Sequence, residues 1–243
     1  MTARPLEQEL TPLPARSVAL SLLLGSHPDR MAPATLIRAG EHFGISPATL
    51  RVALTRAVAA GDLRRVDGDY VLGERLVARQ HHQDEAVEDA ETPWQGDWEM
   101  AVVVVTGRPG PERAALRERL VSARLAELRE GVWTRPANLR RPPSYADDAV
   151  LRCFTARADQ DDQGLAASLW DLDGWARRGR DLLALLEDVH EPALRLAAAA
   201  QLVRHLASDP LLPAELLQDG WPGPALRAAY AGYQAELRNL AAL

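Results

Sequence analysis

Apolar residues recur along the first 75 positions at helical spacing and then change to strand spacing. The run "ARSVALSLLLGSH" carries Val18, Leu20, Leu22, Leu23 and Leu24 before Gly25. The run "APATLIRAGEHFG" places Leu36, Ile37, Ala39 and Phe43 on a stripe before Gly44. A glycine after each run suits a helix C-terminal cap. A third run, "GISPATLRVALTRAVAAGDL", opens on Ser46 as N-cap with Pro47 at the first helical position. Between Pro47 and about Ala60, steps of about 100° per residue gather Leu50, Leu54, Ala57 and Val58 into one core-facing arc. The opposite side holds Ala48, Val52, Thr55 and Ala59, edged by Arg51 on one flank and by Thr49 and Arg56 on the other. After Gly61, "LRRVDGDYVLG" sets Leu63, Val66, Tyr70 and Leu72 inward around Asp67-Gly68, a dipeptide that favours a two-residue hairpin turn. Helix, helix, tight turn, helix and hairpin is the order of a winged helix-turn-helix.

The pattern then changes. Residues 74–91, "ERLVARQHHQDEAVEDAE", are polar and helix-favouring, which predicts a connecting helix or linker over 76–93. "WEMAVVVVT" predicts a buried strand, and "PERAALRERLVSARLAELREG" an amphipathic helix carrying Leu116, Leu120, Leu125 and Leu128 and ended by Gly131. "GVWTRPANL" and "VLRCFTARA" predict two extended segments parted by Pro142-Pro143, with "GLAASLW" as a second helix. Strand, helix, strand, strand is the opening of a ferredoxin-like unit, whose last strand this pattern does not identify. From Asp171 onward the chain reads as helices with alanine faces, a natural place for a dimer contact. "DPLLPAELLQDGWPG" reads as a proline-punctuated connector anchored by Trp221. The expectation is a mainly helical α+β chain divided at 1–75, 76–93, 94–170 and 171–243.

Composition narrows the picture. With 243 residues, 47% of them hydrophobic, the chain can fill two or three small cores. No run approaches the roughly 18 to 20 apolar residues of a membrane span, and "MTARPLEQELTPLPARS" lacks the basic-then-apolar order of a secretion signal, so a cytoplasmic protein is expected. The one cysteine, Cys153, has no internal disulfide partner, and its place in "VLRCFTA" predicts burial in a strand with no chemical role. The net charge of -6 is uneven, because residues 1–75 hold 9 Arg against 8 acids, and all the cationic side chains are arginine.

The candidate chemistry follows from those arginines. A smooth strip of Ala48, Val52 and Thr55 can lie deep in a DNA major groove, with Ser46, Thr49, Arg51 and Arg56 at its borders reaching phosphates or base edges. Arg64 and Arg65 at the base of the hairpin lie where flanking phosphates would pass. Small helical domains with a polar face also bind proteins, so that alternative stands beside the first. Among His81, His82, Asp84 and Glu85 only His81 and Glu85 share a helix face, and two side chains do not complete a zinc site, so no metal is expected. "GRPGPE" at 107–112 lies between a strand and a helix as a nucleotide loop would, yet it has no lysine and its prolines remove amide donors, which predicts a plain turn. A small-molecule pocket would need apolar walls and a cationic rim. Trp94, Trp98, Trp133, Arg135, Arg140 and Arg141 are candidates for these, unless the tryptophans fill the central core and the arginines face solvent or DNA phosphate.

Four segments carry a family likeness. "GISPATLRVALTRAVAAGDL" with "GDYVLG", then "TPWQGDWEMAVV", "GVWTRP" and "SDPLLPAELLQDGWPGPALRAAY" occur in an order that resembles the PaaX family of bacterial transcriptional repressors, over nearly the whole chain. Gly61-Asp62-Leu63 stands where such proteins carry a bulkier, often tryptophan-containing, end to the recognition helix. The resemblance implies a homodimeric, phenylacetic acid degradation regulator-like protein that binds double-stranded operator DNA. It implies release by an aryl acid or an acyl-CoA such as phenylacetyl-CoA, a Cas2-like central domain and a helical C-terminal domain; no cofactor is expected. Cas2-like folds include metal-dependent nucleases with an acid at the end of the first strand, where this sequence has Thr106-Gly107, so no enzyme is expected.

Overall fold

The structure is a computed structural model that describes residues 10–25, 30–77, 91–141, 143–159 and 161–242. His81, His82, Asp84, Glu85 and Pro142, with the first nine residues, lie outside the described residues. The chain divides into two compact units, one of Met1–Glu88, Arg177–Ser208 and Pro222–Leu243, the other of Asp89–Ala176 and Asp209–Trp221.

The first unit begins with α1 (Ala15–Leu24), a short β1 (Arg30–Met31), α2 (Pro33–His42) and α3 (Pro47–Ala59). Their facing sides bury Val18, Leu22 and Leu23 of α1, Leu36 and Ala39 of α2, and Leu50, Ala53, Leu54 and Ala57 of α3. Gly40 lets α2 and α3 approach closely, since a Cβ there would lie 2.6 Å from a Leu50 methyl group. The hairpin forms as β2 (Leu63–Val66) and β3 (Asp69–Leu72), and β1 joins β3 to make a three-stranded antiparallel sheet, order β1-β3-β2. Asp67 and Gly68 both take positive φ, 51° and 91°, as a type I′ turn requires. Leu63, Tyr70 and Leu72 point inward, but Val66 is 36% exposed. Leu63 and Val66 are three residues apart, so the strand's twofold alternation sets them on opposite faces and corrects the expected inward pair.

Second in chain order come β4 (Trp98–Val103), α4 (Gly110–Ser122), β5 (Ala126–Arg129), β6 (Val132–Pro136), β7 (Leu151–Ala156) and α5 (Asp162–Leu169). The four strands form an antiparallel sheet in the order β5-β6-β4-β7. The expected helix to Gly131 stops at Ser122, because Arg124 takes a φ of 63° and turns the chain back. Strand β5 is an addition to the expected order, hidden in the sequence because Leu125 and Leu128 prolong the leucine spacing of α4; it lies before β6 and not in the last place that the pattern left open. Ala101, Trp133 and Leu151 pack on Leu116, Leu120 and Tyr145, while Trp98 packs with Ala166, Leu212 and Leu216. Cys153 lies in a strand as expected but is exposed, which corrects its predicted burial. Strand β7 is the sheet's edge, and Arg152, Cys153, Phe154 and Thr155 are all exposed there.

Three further helices follow, α6 (Leu172–Asp188), α7 (Pro192–Leu206) and α8 (Gly223–Ala242). Helix α8 packs against both α2 and α7 in the first unit. Ala193, Ala197, Ala198 and Ala199 of α7 are buried within the chain itself, so that alanine face is not free for the dimer contact expected of it. The connector at 209–221 returns to the second unit, where Trp221 stacks on Trp175 with ring centroids 4.5 Å apart. The molecule is thus α+β and mainly helical. No helix among the described residues is long and apolar enough to cross a membrane.

Candidate nucleic-acid interface

Helix α3 is fixed at its start by a cap that the sequence encodes. The Ser46 Oγ accepts the Thr49 backbone N–H at 3.2 Å and lies 2.8 Å from the Thr49 hydroxyl. This satisfies one of the otherwise orphaned amides of the first turn. With Leu50, Ala53, Leu54 and Ala57 committed to the core, 3.6-residue periodicity leaves Ala48, Thr49, Arg51, Val52, Thr55 and Arg56 outside, and all six are exposed. Val52 is 51% exposed, an apolar side chain of the size that meets a thymine methyl. The Thr55 hydroxyl donates to the Arg51 carbonyl at 2.9 Å, leaving its oxygen able to accept. The guanidiniums of Arg51 and Arg56 have no hydrogen-bond or ion-pair partner among the described residues.

In the hairpin, Arg64 is exposed and likewise unpaired among the described residues, while the Arg65 guanidinium lies 4.6 Å from the Tyr70 ring centroid. Two residues that the sequence pattern did not single out complete the arrangement. Arg30 on β1 donates to Asp69 at 2.8 Å, to Asp67 at 3.3 Å and to the Val66 carbonyl at 3.1 Å, holding the turn. Those carboxylates raise the Arg30 pKa, with Asp69 first, and their own charge on the turn is offset. Asp62, only 1% exposed, accepts from Arg16 Nε at 3.0 Å and from Arg75 at 2.7 Å. Arg16, ahead of Arg75, holds its carboxyl below the usual carboxylate range. The Gly73 N–H donates to the Asp62 carbonyl at 2.7 Å and closes the base of the hairpin. Nothing local marks Arg30 or Asp62, since their partners are 13 to 46 residues away along the chain.

The six pocket candidates of the central region do not converge. Trp98 and Trp133 occupy opposite faces of the sheet, because Trp98 pairs with Pro136 and Trp133 with Ala101, three positions along β4. The Trp98 indole donates to Asp162 at 2.8 Å, and the Trp94 indole donates to the Asp97 carbonyl at 2.6 Å. Arg135 is 0% exposed and donates to Asn138 Oδ1 at 2.8 Å and to the Leu211 and Pro136 carbonyls at 3.0 Å each. Burial pulls its pKa down to about 9, so it remains charged at neutral pH. Arg141 donates to the Ala123 carbonyl at 2.6 Å, and Arg140 is exposed. Trp98 and Trp133 are buried, in different clusters, and Trp94 is half-buried against the cluster of Trp98. Among the described residues no three His, Cys, Asp or Glu side chains come together as a metal site.

Three family models match the chain in order. Residues 14–76 match the one described as PaaX-like protein, residues 91–158 the PaaX protein central Cas2-like domain, and residues 170–243 the PaaX-like protein C-terminal domain. Among solved structures, "Uncharacterized protein Rv0674 from Mycobacterium tuberculosis" is similar to this chain, with 45% identity over 93% of this chain and 97% of that one, and a TM-score of 0.80. No curated protein matches the chain.

Proposed function

The chain belongs to the PaaX-like family, whose members are regulatory rather than enzymatic, and on that premise we propose that it is a DNA-binding transcriptional repressor. Two copies would present two α3 helices to adjacent half-sites of a palindromic operator. The observation that carries this reading is the exposed strip of α3, small residues flanked by two guanidiniums that no described acid neutralises. In this reading Val52 and Ala48 meet base methyls, Thr49 and Thr55 bond base edges, and Arg51 and Arg56 reach phosphates or guanine, with Arg64 on a flanking phosphate.

Release by an aryl acid or aryl acyl-CoA would follow if that ligand binds the DNA-free form more tightly, by about 1 to 3 kcal/mol for a 5- to 150-fold effect. Fluorescence anisotropy with the duplex upstream of the protein's own coding region tests the reading. Saturable binding that weakens steeply with salt supports it, and absence of binding at low salt removes it. The net charge of -6 favours a second reading, a winged helix that serves protein contacts without DNA affinity, and the same titration separates the two.

A further inference from the structure

The short strand β1 gives the hairpin sheet a third member, and with it a charge that the hairpin alone lacks. Register sets Arg30 of β1 and Arg64 of β2 on either side of Val71 of β3, and residues directly opposite in a ladder point to the same face. Val66 and Asp69, opposite each other beside the turn, lie two positions further along and so share that face. The reverse face carries Leu63, Met31, Tyr70 and Leu72, all buried. Arg30, Arg64, Val66, Asp69 and Val71 are therefore the outer face of the wing.

The charges on this face oppose one another. Arg64 suits a phosphate, whereas Asp67 and Asp69 stand at the turn. Val66, the partner of Asp69, is about 7 Å from Arg64 along β2. A phosphate held by Arg64 would thus lie within the screening length, about 10 Å at about 0.1 M salt, of the Asp69 carboxylate. Arg30 covers that carboxylate. Its Nε donates to Asp69 at 2.8 Å, and its Nη2 donates to Asp67 at 3.3 Å and to the Val66 carbonyl at 3.1 Å. One guanidinium against two carboxylates leaves the turn one negative charge instead of two. The Asp69 side chain is 31% exposed and that of Asp67 81%, so the acid on the outer face is the better covered. With Nε and Nη2 both engaged, Arg30 is placed to mask the turn rather than to hold a phosphate itself.

We propose that Arg30 is a positioning residue for DNA binding: by covering Asp69 and Asp67 it lets the outer face of the wing approach the DNA backbone, so that Arg64 reaches a phosphate. The proposal rests on the repressor reading for the presence of the duplex. The sequence gives no local sign of this role, because Arg30 lies before α2 and its carboxylates lie beyond α3.

Anisotropy titrations of the full chain with the duplex upstream of its own coding region test it. Arg30→Gln should weaken binding about tenfold at low salt, with the gap closing as salt rises. Removing the carboxylates as well, in Arg30→Gln/Asp67→Asn/Asp69→Asn, should restore wild-type affinity or better, although the bonds that hold the turn are then gone. Arg157→Gln makes the same change in net charge at an exposed pair with Asp97 in the second unit, and should leave binding within about twofold of wild type. Melting curves show which variants are folded. If the Arg30 variants are not, Asp67→Asn/Asp69→Asn with Arg30 in place serves instead, and should bind more tightly than wild type. A triple variant as weak as Arg30→Gln overturns the proposal, and a salt slope shallower by about one unit would then make Arg30 a phosphate contact. Unaltered binding by folded Arg30→Gln, equal weakening by Arg157→Gln, or no gain from Asp67→Asn/Asp69→Asn also overturns it. Each of these results leaves the repressor reading intact, since the wild-type titration decides that reading by itself. Wild-type protein that does not bind the duplex at low salt overturns both.

Discussion

On α3, Arg51 and Arg56 stand exposed with no described partner, whereas on β6 Arg135 is fully buried and donates to Asn138, Pro136 and Leu211. The same guanidinium fork serves two purposes. In the sheet its fixed donors join the Asn138 amide on the Leu211 carbonyl, and so hold the returning 209–221 segment to β6. On the helix the donors remain unspent, which is what a surface that must engage an outside anion requires. Accessibility and partnership, rather than residue type, separate the structural Arg135 from arginines free to take an outside partner.

The contrast predicts that variants of the two regions fail in different assays. Arg135→Ala should lose about 3 to 5 kcal/mol of stability, because it removes the buried donors to Asn138 Oδ1 and to the Pro136 and Leu211 carbonyls and leaves a void. Urea denaturation measures this, and a loss below about 1 kcal/mol would show that water replaces the clamp at little penalty. Asp62→Asn should cost about 1 kcal/mol at neutral pH, the modest size reflecting the exposure of Arg16 and Arg75. Because pairing lowers the folded-state pKa of Asp62, its contribution is complete above the unfolded pKa and disappears as pH falls through the lowered folded value. Wild-type and Asp62→Asn stabilities should therefore converge in acid, and a gap that stays constant with pH would assign the loss to packing. Arg64→Ala should leave stability within about 0.5 kcal/mol of wild type and make the salt dependence of DNA binding shallower by about one unit.

How much of this was legible in the sequence depended on how local the signal was. Ser46, Pro47 and the spacing of Leu50, Leu54 and Ala57 defined α3 and its exposed strip, because capping and helical period act within a few residues. Asp67-Gly68 defined the hairpin for the same reason. The extra strand β5 was hidden by Leu125 and Leu128, whose spacing continues α4 while the turn at Arg124 ends it. Cys153 and Phe154 show that an apolar run announces a strand without saying what covers it, since β7 lies at the sheet's edge. Arg135 could not be told from a rim arginine, because its partner Leu211 is 76 residues away.

The account turns on whether the α3 strip reads duplex DNA, and anisotropy titrations of the upstream duplex over a salt series, for wild type and the Arg51→Ala/Arg56→Ala double variant, measure that directly. The prediction is weaker binding by the variant at every salt concentration and a log-log slope shallower by about two units, one for each phosphate left without its arginine. Superimposable titrations from two equally folded proteins would contradict it.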